Sequence, residues 1–345
     1  MRPEDPAVAL PPAGKITLIP ALICAVLSVV LMRFGIFSFF FLVPLGVCAA
    51  VYGPVMAWMG FVFALLGNAV WSLGFSLRYG TGFPAAGIDI LYFTVLSAGF
   101  TWIMAGSPAM SIIPPVRTLF RFIAAAIAGA LVFLGMVFSL GSDEGFFTLI
   151  RSQLEVISSS YITASGADAA QQALLERLLT PDRIIETFVM IILRGGALVS
   201  AFFLFFINRQ TAFVFARLFR RHRKNIGGND LIGFYAPRKT IWVLSFCLPV
   251  ILLCRVIALE MAEIAAWNLL AICVIMFLAQ GGGIVLFHFT RRPRSMIMRL
   301  LCSVLLIGVV FSPGLNALVV IALILLGIAE SWLSLRVKKQ EVPDS

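Results

Sequence analysis

Apolar runs of about 20 residues recur along this chain, and that recurrence leaves few folds open. A helix of about that length crosses a ~30 Å hydrocarbon core, and within lipid only helices and closed barrels satisfy their own backbone polar groups. The runs fall at about 16–32, 35–52, 55–77, 88–105, 119–140, 184–207, 240–259, 265–289, 297–311 and 315–335. Turns at Gly53-Pro54, 80–84 and Pro114-Pro115 separate most of the early ones. Strand-like alternation is absent, which argues against a barrel. Hydrophobic residues make up 61% of the chain and charged ones 12%, against roughly half and a quarter in soluble domains. A water-solvated fold is excluded. The expected fold is an all-α integral membrane protein with about ten transmembrane helices, eight if the short ninth run is re-entrant.

Basic residues orient such a bundle, because lysine and arginine concentrate in cytoplasmic loops. With both termini inside, Arg2, Lys15, Arg117 and Arg121 fall on the cytoplasmic side. So do the connector 208–239, the cluster Arg291, Arg292, Arg294 and Arg299, and the closing Arg336, Lys338 and Lys339. Only Arg33, Arg78, Arg151, Arg177 and Arg183 fall outside, while Arg194 and Arg255 lie within spans. Segment 141–183 is acidic and lands outside, as the rule prefers. Within it Phe146, Phe147, Ile150, Leu154 and Ile157 recur at helical spacing, so part of it reads as an amphipathic helix lying at the interface. A second short helix is expected over 167–179. The chain thus divides into a disordered tail 1–15, a six-helix half 16–207, the basic connector 208–239, a four-helix half 240–336 and a tail 337–345.

Polar groups inside the spans carry what functional signal there is. Arg194 lies ten residues into the sixth run, hence ~15 Å along it and near mid-bilayer. There a charge faces either a wet cavity or a partner. The functional reading is a substrate- or anion-binding arginine; the structural one is an ion pair with Glu186, Glu260, Glu263 or Asp89. Gly195 and Gly196 follow it and permit a close helix approach. Arg255, Glu260 and Glu263 gather at the outer turn between the seventh and eighth spans, and Arg33, Arg78 and Asp89 sit at the same side. Gln280 with Gly281, Gly282 and Gly283 fits either a discontinuous helix or a tight helix contact in which the glutamine bonds across; packing is the preferred reading. Asn68, Asn268 and Asn316 read as interhelical hydrogen-bond formers, and Glu330 as a partner of Arg336 or another base.

Several chemistries are poorly served. The six cysteines all lie within apolar runs and none in CxxC spacing; the two histidines, His222 and His288, are far apart. No metal or cofactor is expected. There is no GxSxG, HExxH or P-loop, and no DxxD-type acidic pair, so an enzyme is not expected. The stretch RLFRRHRKN reads as an orientation signal that attracts anionic lipid headgroups, not as a nucleic-acid site.

Three features of the C-terminal half resemble the YybS-like family of multi-pass bacterial membrane proteins, defined by a domain of unknown function. They are Phe234-Tyr235-Ala236-Pro237 leading to Trp242 and Pro249, Gln280-Gly281 before a basic turn, and Gly327-Ile328-Ala329-Glu330-Ser331-Trp332 with Arg336. The first half is similar, more weakly, to the S components of energy-coupling-factor vitamin transporters. Ala21 and Ala25 match the small residues spaced four apart in their first helix, and Pro44 with Gly53-Pro54 their second helix and turn. The resemblances imply a bacterial cytoplasmic membrane. They also imply a small solute bound from the extracytoplasmic side, with Arg194, Asp89, Arg255, Glu260 and Gln280 as candidate binding residues and a membrane protein as candidate partner. The alternative is a non-transporting scaffold or assembly factor that holds partners through its helices and basic connector.

Overall fold

The computed structural model describes residues 18–79, 83–105, 115–141, 144–164, 168–219, 233–291, 312, 314–333 and 335–336. Every regular element among them is helical. Seven helices are long and apolar enough to cross a membrane, and Ile19–Arg33 is a shorter apolar helix. This is an all-α chain with the character of a multi-pass membrane protein. The expected ninth span, 297–311, lies outside the described residues, as do both tails and most of the connector.

Helix α1 (Ile19–Arg33) ends in a turn, and a 3-10 segment (Gly35–Phe40) leads into α2 (Val43–Tyr52). One continuous helix was expected over 35–52. Pro44 explains the difference: it lacks the amide that a helix interior needs, and it sits in the first turn of α2. The carbonyls released at this junction are taken up by side chains. Ser28 Oγ donates to Phe41 O at 2.6 Å, and Asn208 Nδ2 to Phe39 O at 2.8 Å.

Helices α3 (Pro54–Tyr79), α4 (Phe83–Ala105) and α5 (Pro115–Gly141) follow. Segment 141–183 holds α6 (Glu144–Ala164) and α7 (Ala169–Leu178). Asp168 caps α7 by accepting from the Gln171 amide at 2.8 Å. The sixth crossing departs most from expectation. It is built from α8 (Pro181–Ile191), a break over Ile192–Gly196, and α9 (Ala197–Phe219). The break falls inside the expected span 184–207, and α9 continues beyond it, so Asn208 and Arg209 at the start of the basic connector are helical. Helices α10 (Lys239–Val256) and α11 (Glu260–Arg291) form a hairpin, and α12 (Leu315–Ala329) packs on α11.

Small residues set the spacing. A Cβ on Gly99 would lie 3.1 Å from Ala125 Cβ, and one on Gly129 3.0 Å from Leu96 and 3.5 Å from Ala201. Those contacts make α4 and α9 parallel, with α5 antiparallel between them. Phe93, Leu96, Phe100, Ile103 and Phe205 are fully buried at their centre. Ala21 and Ala25 are also buried, Ala21 beside Cys48 and Met56. The small-residue face of α1 is thus already covered by this chain and is not offered to a partner.

The tightest contact joins α11 and α12. A Cβ on Gly281 would fall 1.9 Å from Leu323 O, and one on Gly327 2.1 Å from Phe277 O and 3.1 Å from Gly281 N. Further along, Leu335 lines one cleft with His288 and Phe289. The two helices cross at Gly281 and Gly327. Small residues permit this backbone approach where lipid supplies no hydrophobic drive for association.

Candidate functional site

Polar residues within the bundle gather into three clusters. The first joins α1, α3 and α4. Arg33 Nη2 donates to Asn68 Oδ1 at 2.6 Å, to Ser72 Oγ at 3.0 Å and to Asp89 Oδ2 at 2.5 Å, and Ser72 Oγ also donates to Asp89. Every strong donor here meets an acceptor, save Arg33 Nε, which is buried without one. One positive and one negative charge are shared among four side chains. The cluster is neutral.

The second cluster forms where α8 breaks. Gly195 takes φ +111°, a left-handed backbone that side chains with a Cβ rarely adopt. Arg194 beside it is also non-helical, at φ −81° and ψ 27°. The break releases the Leu193 carbonyl, and Asn268 Nδ2 on α11 donates to it at 2.7 Å. Glu263, in the first turn of α11 and 5% exposed, faces the same point. Its Oε1 accepts hydrogen bonds from Arg255 Nε and Trp267 Nε1, each at 3.2 Å, and forms an ion pair with Arg194 Nη2 at 3.1 Å. Two guanidinium groups thus share one carboxylate oxygen. Arg194 is about one-quarter exposed and Arg255 59% exposed, while Arg194 Nε is buried with no hydrogen-bond partner.

The third cluster lies at the far end of α11. Glu330 and Arg336 are each 2% exposed and form a two-pronged pair, Nε to Oε1 at 2.7 Å and Nη2 to Oε2 at 2.6 Å. Arg336 Nη2 also donates to Phe234 O at 2.7 Å, and its guanidinium stacks 3.9 Å from the Tyr235 ring centroid. Gln280 Nε2 donates to Glu330 Oε2 at 3.2 Å, while Gln280 Oε1 accepts from the Ala236 amide at 2.8 Å. The three stretches quoted for the YybS-like resemblance meet at this one point.

These placements redraw the sequence-derived site. Asp89 bonds to α1 and α3, Gln280 to Ala236 and Glu330, and neither bonds to Arg194 or Arg255. Glu260 opens α11 and is exposed. A Cβ on Gly195 would lie 3.1 Å from Ala271 Cβ, one on Gly196 2.7 Å from Ile191 O, one on Gly282 would meet open space, and Gly283 is buried. Asn68 and Asn268 bond between helices, whereas Asn316 is exposed and accepts from the amide of the next residue, Ala317. Sequence reasoning placed Arg194 at mid-bilayer; its partner Glu263 lies in the first turn of α11, so Arg194 stands near one end. The ladder agrees. Asp89 and Arg194 each precede by seven residues, or ~10 Å, positions that touch Gly129 from the same side.

Along α11, Glu263 and Gln280 are 17 residues and so ~26 Å apart, close to a hydrocarbon thickness. The polar clusters mark the two ends of an apolar layer. Among the described residues no group of three or more His, Cys, Asp or Glu is assembled for a metal. The cysteines Cys24, Cys48, Cys247, Cys254 and Cys273 are free thiols.

No family model, curated protein or solved structure matches this chain. The clusters therefore stand on their own chemistry, and the broken helix is the one that leaves something open. Asn268 gives a direct test of how that break is held. Asn268→Leu deprives the Leu193 carbonyl of its interhelical donor and is expected to cost about 1 kcal/mol. Chemical unfolding of the purified protein in detergent, against Asn316→Leu with little expected loss, checks it.

Proposed function

We propose that this chain is a bacterial cytoplasmic-membrane protein of about ten crossings that binds a small solute near the broken helix, opening to the extracytoplasmic side. The carrying observation is the interrupted α8–α9 crossing, with Arg194 and Arg255 converging on Glu263 beside it. Discontinuous helices that present backbone and charge at a polar point are how many transporters hold cargo. Membrane-embedded ionisable groups are functional by default. Orientation follows from charge. At the Gln280 end lie Arg117, Arg121, Arg209, Arg238, Lys239, Arg291 and Arg336, with Glu330 the one acid among the described residues. Basic loops favour the cytoplasm, which puts both chain ends there and the Glu263 end outside. Kinship with YybS-like proteins fits this reading, since the residues that suggested it form one closed polar cluster.

The experiment is a ligand search with two arginines compared. Small molecules copurified with the protein are identified by mass spectrometry and added back in a thermal-unfolding assay. The expected result is stabilisation that Arg194→Ala abolishes and Arg121→Ala, at the other end, keeps. Full stabilisation in Arg194→Ala removes the site.

A second reading, a scaffold, draws on the layer beyond the break. Val156, Ile157 and Tyr161 of α6, Leu174 of α7 and Phe188 of α8 are all more than half exposed, and Arg151 pairs with Asp182 at 2.9 Å to hold α6 against α8. Stable protein partners on purification, with no ligand response, would favour it.

A further inference from the structure

We propose that the Arg194–Arg255 pair binds an oxyanion, a phosphate or carboxylate group that shares the two guanidinium groups with Glu263. The inference rests on the solute-binding reading above and names the chemistry of its ligand. Charge sets the Glu263 cluster apart from the other two. In the Arg33 and Arg336 clusters, each arginine has its own carboxylate: Asp89 in one, Glu330 in the other. Around Glu263 the count differs. Two arginines meet one carboxylate, and a single oxygen, Oε1, already takes Arg194 Nη2, Arg255 Nε and Trp267 Nε1. One positive charge is left over. Glu260 opens the same helix but is exposed, and Glu186 of α8 is exposed as well.

Exposure points the same way. Arg194 Nε is buried without a partner, as Arg33 Nε is in the neutral cluster, so the excess charge and not the unmet donor distinguishes this point. Arg255 is 59% exposed, so the far side of its guanidinium faces the approach from outside the bundle. A planar guanidinium binds phosphate and carboxylate through paired, charge-assisted hydrogen bonds. An oxyanion arriving from the Arg255 side would neutralise the excess charge. The break at Gly195 keeps this point from being closed by a regular helical turn.

The oxyanion has two natural sources, a soluble molecule or the headgroup of an anionic lipid, and the test separates them. In one arm the protein in neutral detergent is titrated with inorganic phosphate at constant ionic strength set by chloride, and thermal unfolding is followed. In the other it is placed in nanodiscs of phosphatidylcholine with or without phosphatidylglycerol. The expected result is saturable stabilisation in at least one arm. Arg255→Gln, an exposed position whose loss leaves the fold intact, should weaken the apparent affinity by about tenfold, as loss of one charge-assisted bond does; Arg194→Gln should do the same. A response to phosphate assigns a soluble oxyanion, and a response to phosphatidylglycerol alone assigns a headgroup. Either outcome supports the proposal.

Stabilisation that persists unchanged in both variants is general salting-out and overturns it, as does a flat response in both arms. If a neutral copurified solute still stabilises the protein while both arms are flat, the oxyanion falls and solute binding stands. A response to phosphatidylglycerol alone, with no copurified solute, keeps the oxyanion and removes the solute.

Discussion

Arg336→Leu is expected to destabilise the protein by about 3–5 kcal/mol, because it strands the Glu330 carboxylate where only 2% of it meets solvent. The loss is larger than the bond itself. Glu330 Oε2 keeps Gln280 Nε2 at 3.2 Å, but a neutral amide does not offset a buried charge. Phe234 O loses its donor at the same time, and Tyr235 loses the cation over its ring. Joint replacement, Glu330→Leu with Arg336→Leu, should recover much of the deficit, since buried ion pairs are often matched by apolar residues of similar volume. Chemical unfolding of the native protein and both variants in detergent measures both claims. A single variant within ~1 kcal/mol of the native protein would mean that water reaches the pair.

Gly281→Val is the second large effect. Its Cβ would fall 1.9 Å from the Leu323 carbonyl oxygen, which belongs to backbone and has no rotamer to yield. The helices must separate, and the close approach of Gly327 to the Phe277 backbone opens with them. Overpacking commonly costs about 1–3 kcal/mol and sometimes more; here the obstacle is main chain on both sides, so the upper part of that range is expected. Gly282→Val is the control, since a Cβ there meets nothing within 4 Å. Equal losses at the two positions would show that helix propensity, not the crossing, governs the response.

How much of this was legible beforehand depends on what a side chain does locally. Apolar runs located most crossings, because length and hydropathy determine a span with little help from packing. The pairing of Glu330 with Arg336 was readable for a similar reason: six residues apart at the end of a helix, they have few other partners. Arg194 was harder. Hydropathy treats Pro181–Ala216 as one stretch, and only the left-handed backbone at Gly195 splits it. Gly195-Gly196 next to an arginine was the available signal, and it was read as a packing face and not as a break. Arg33 and Asp89 lie 56 residues apart and share no local pattern. Their partners Asn68 and Ser72 sit one helical turn apart on α3, and that spacing was the only hint of a polar face.

The close seam between α11 and α12 has a consequence for biogenesis. Neighbours joined by a tight turn can enter the bilayer together as a hairpin, but 23 residues separate the end of α11 from the start of α12. Their glycine-lined seam must close sideways, after each has been separately inserted, in the second of two stages of assembly. A defect at that seam should therefore leave delivery and threading intact and appear as a late failure, in chains that reach the membrane correctly and are then lost to quality-control proteolysis.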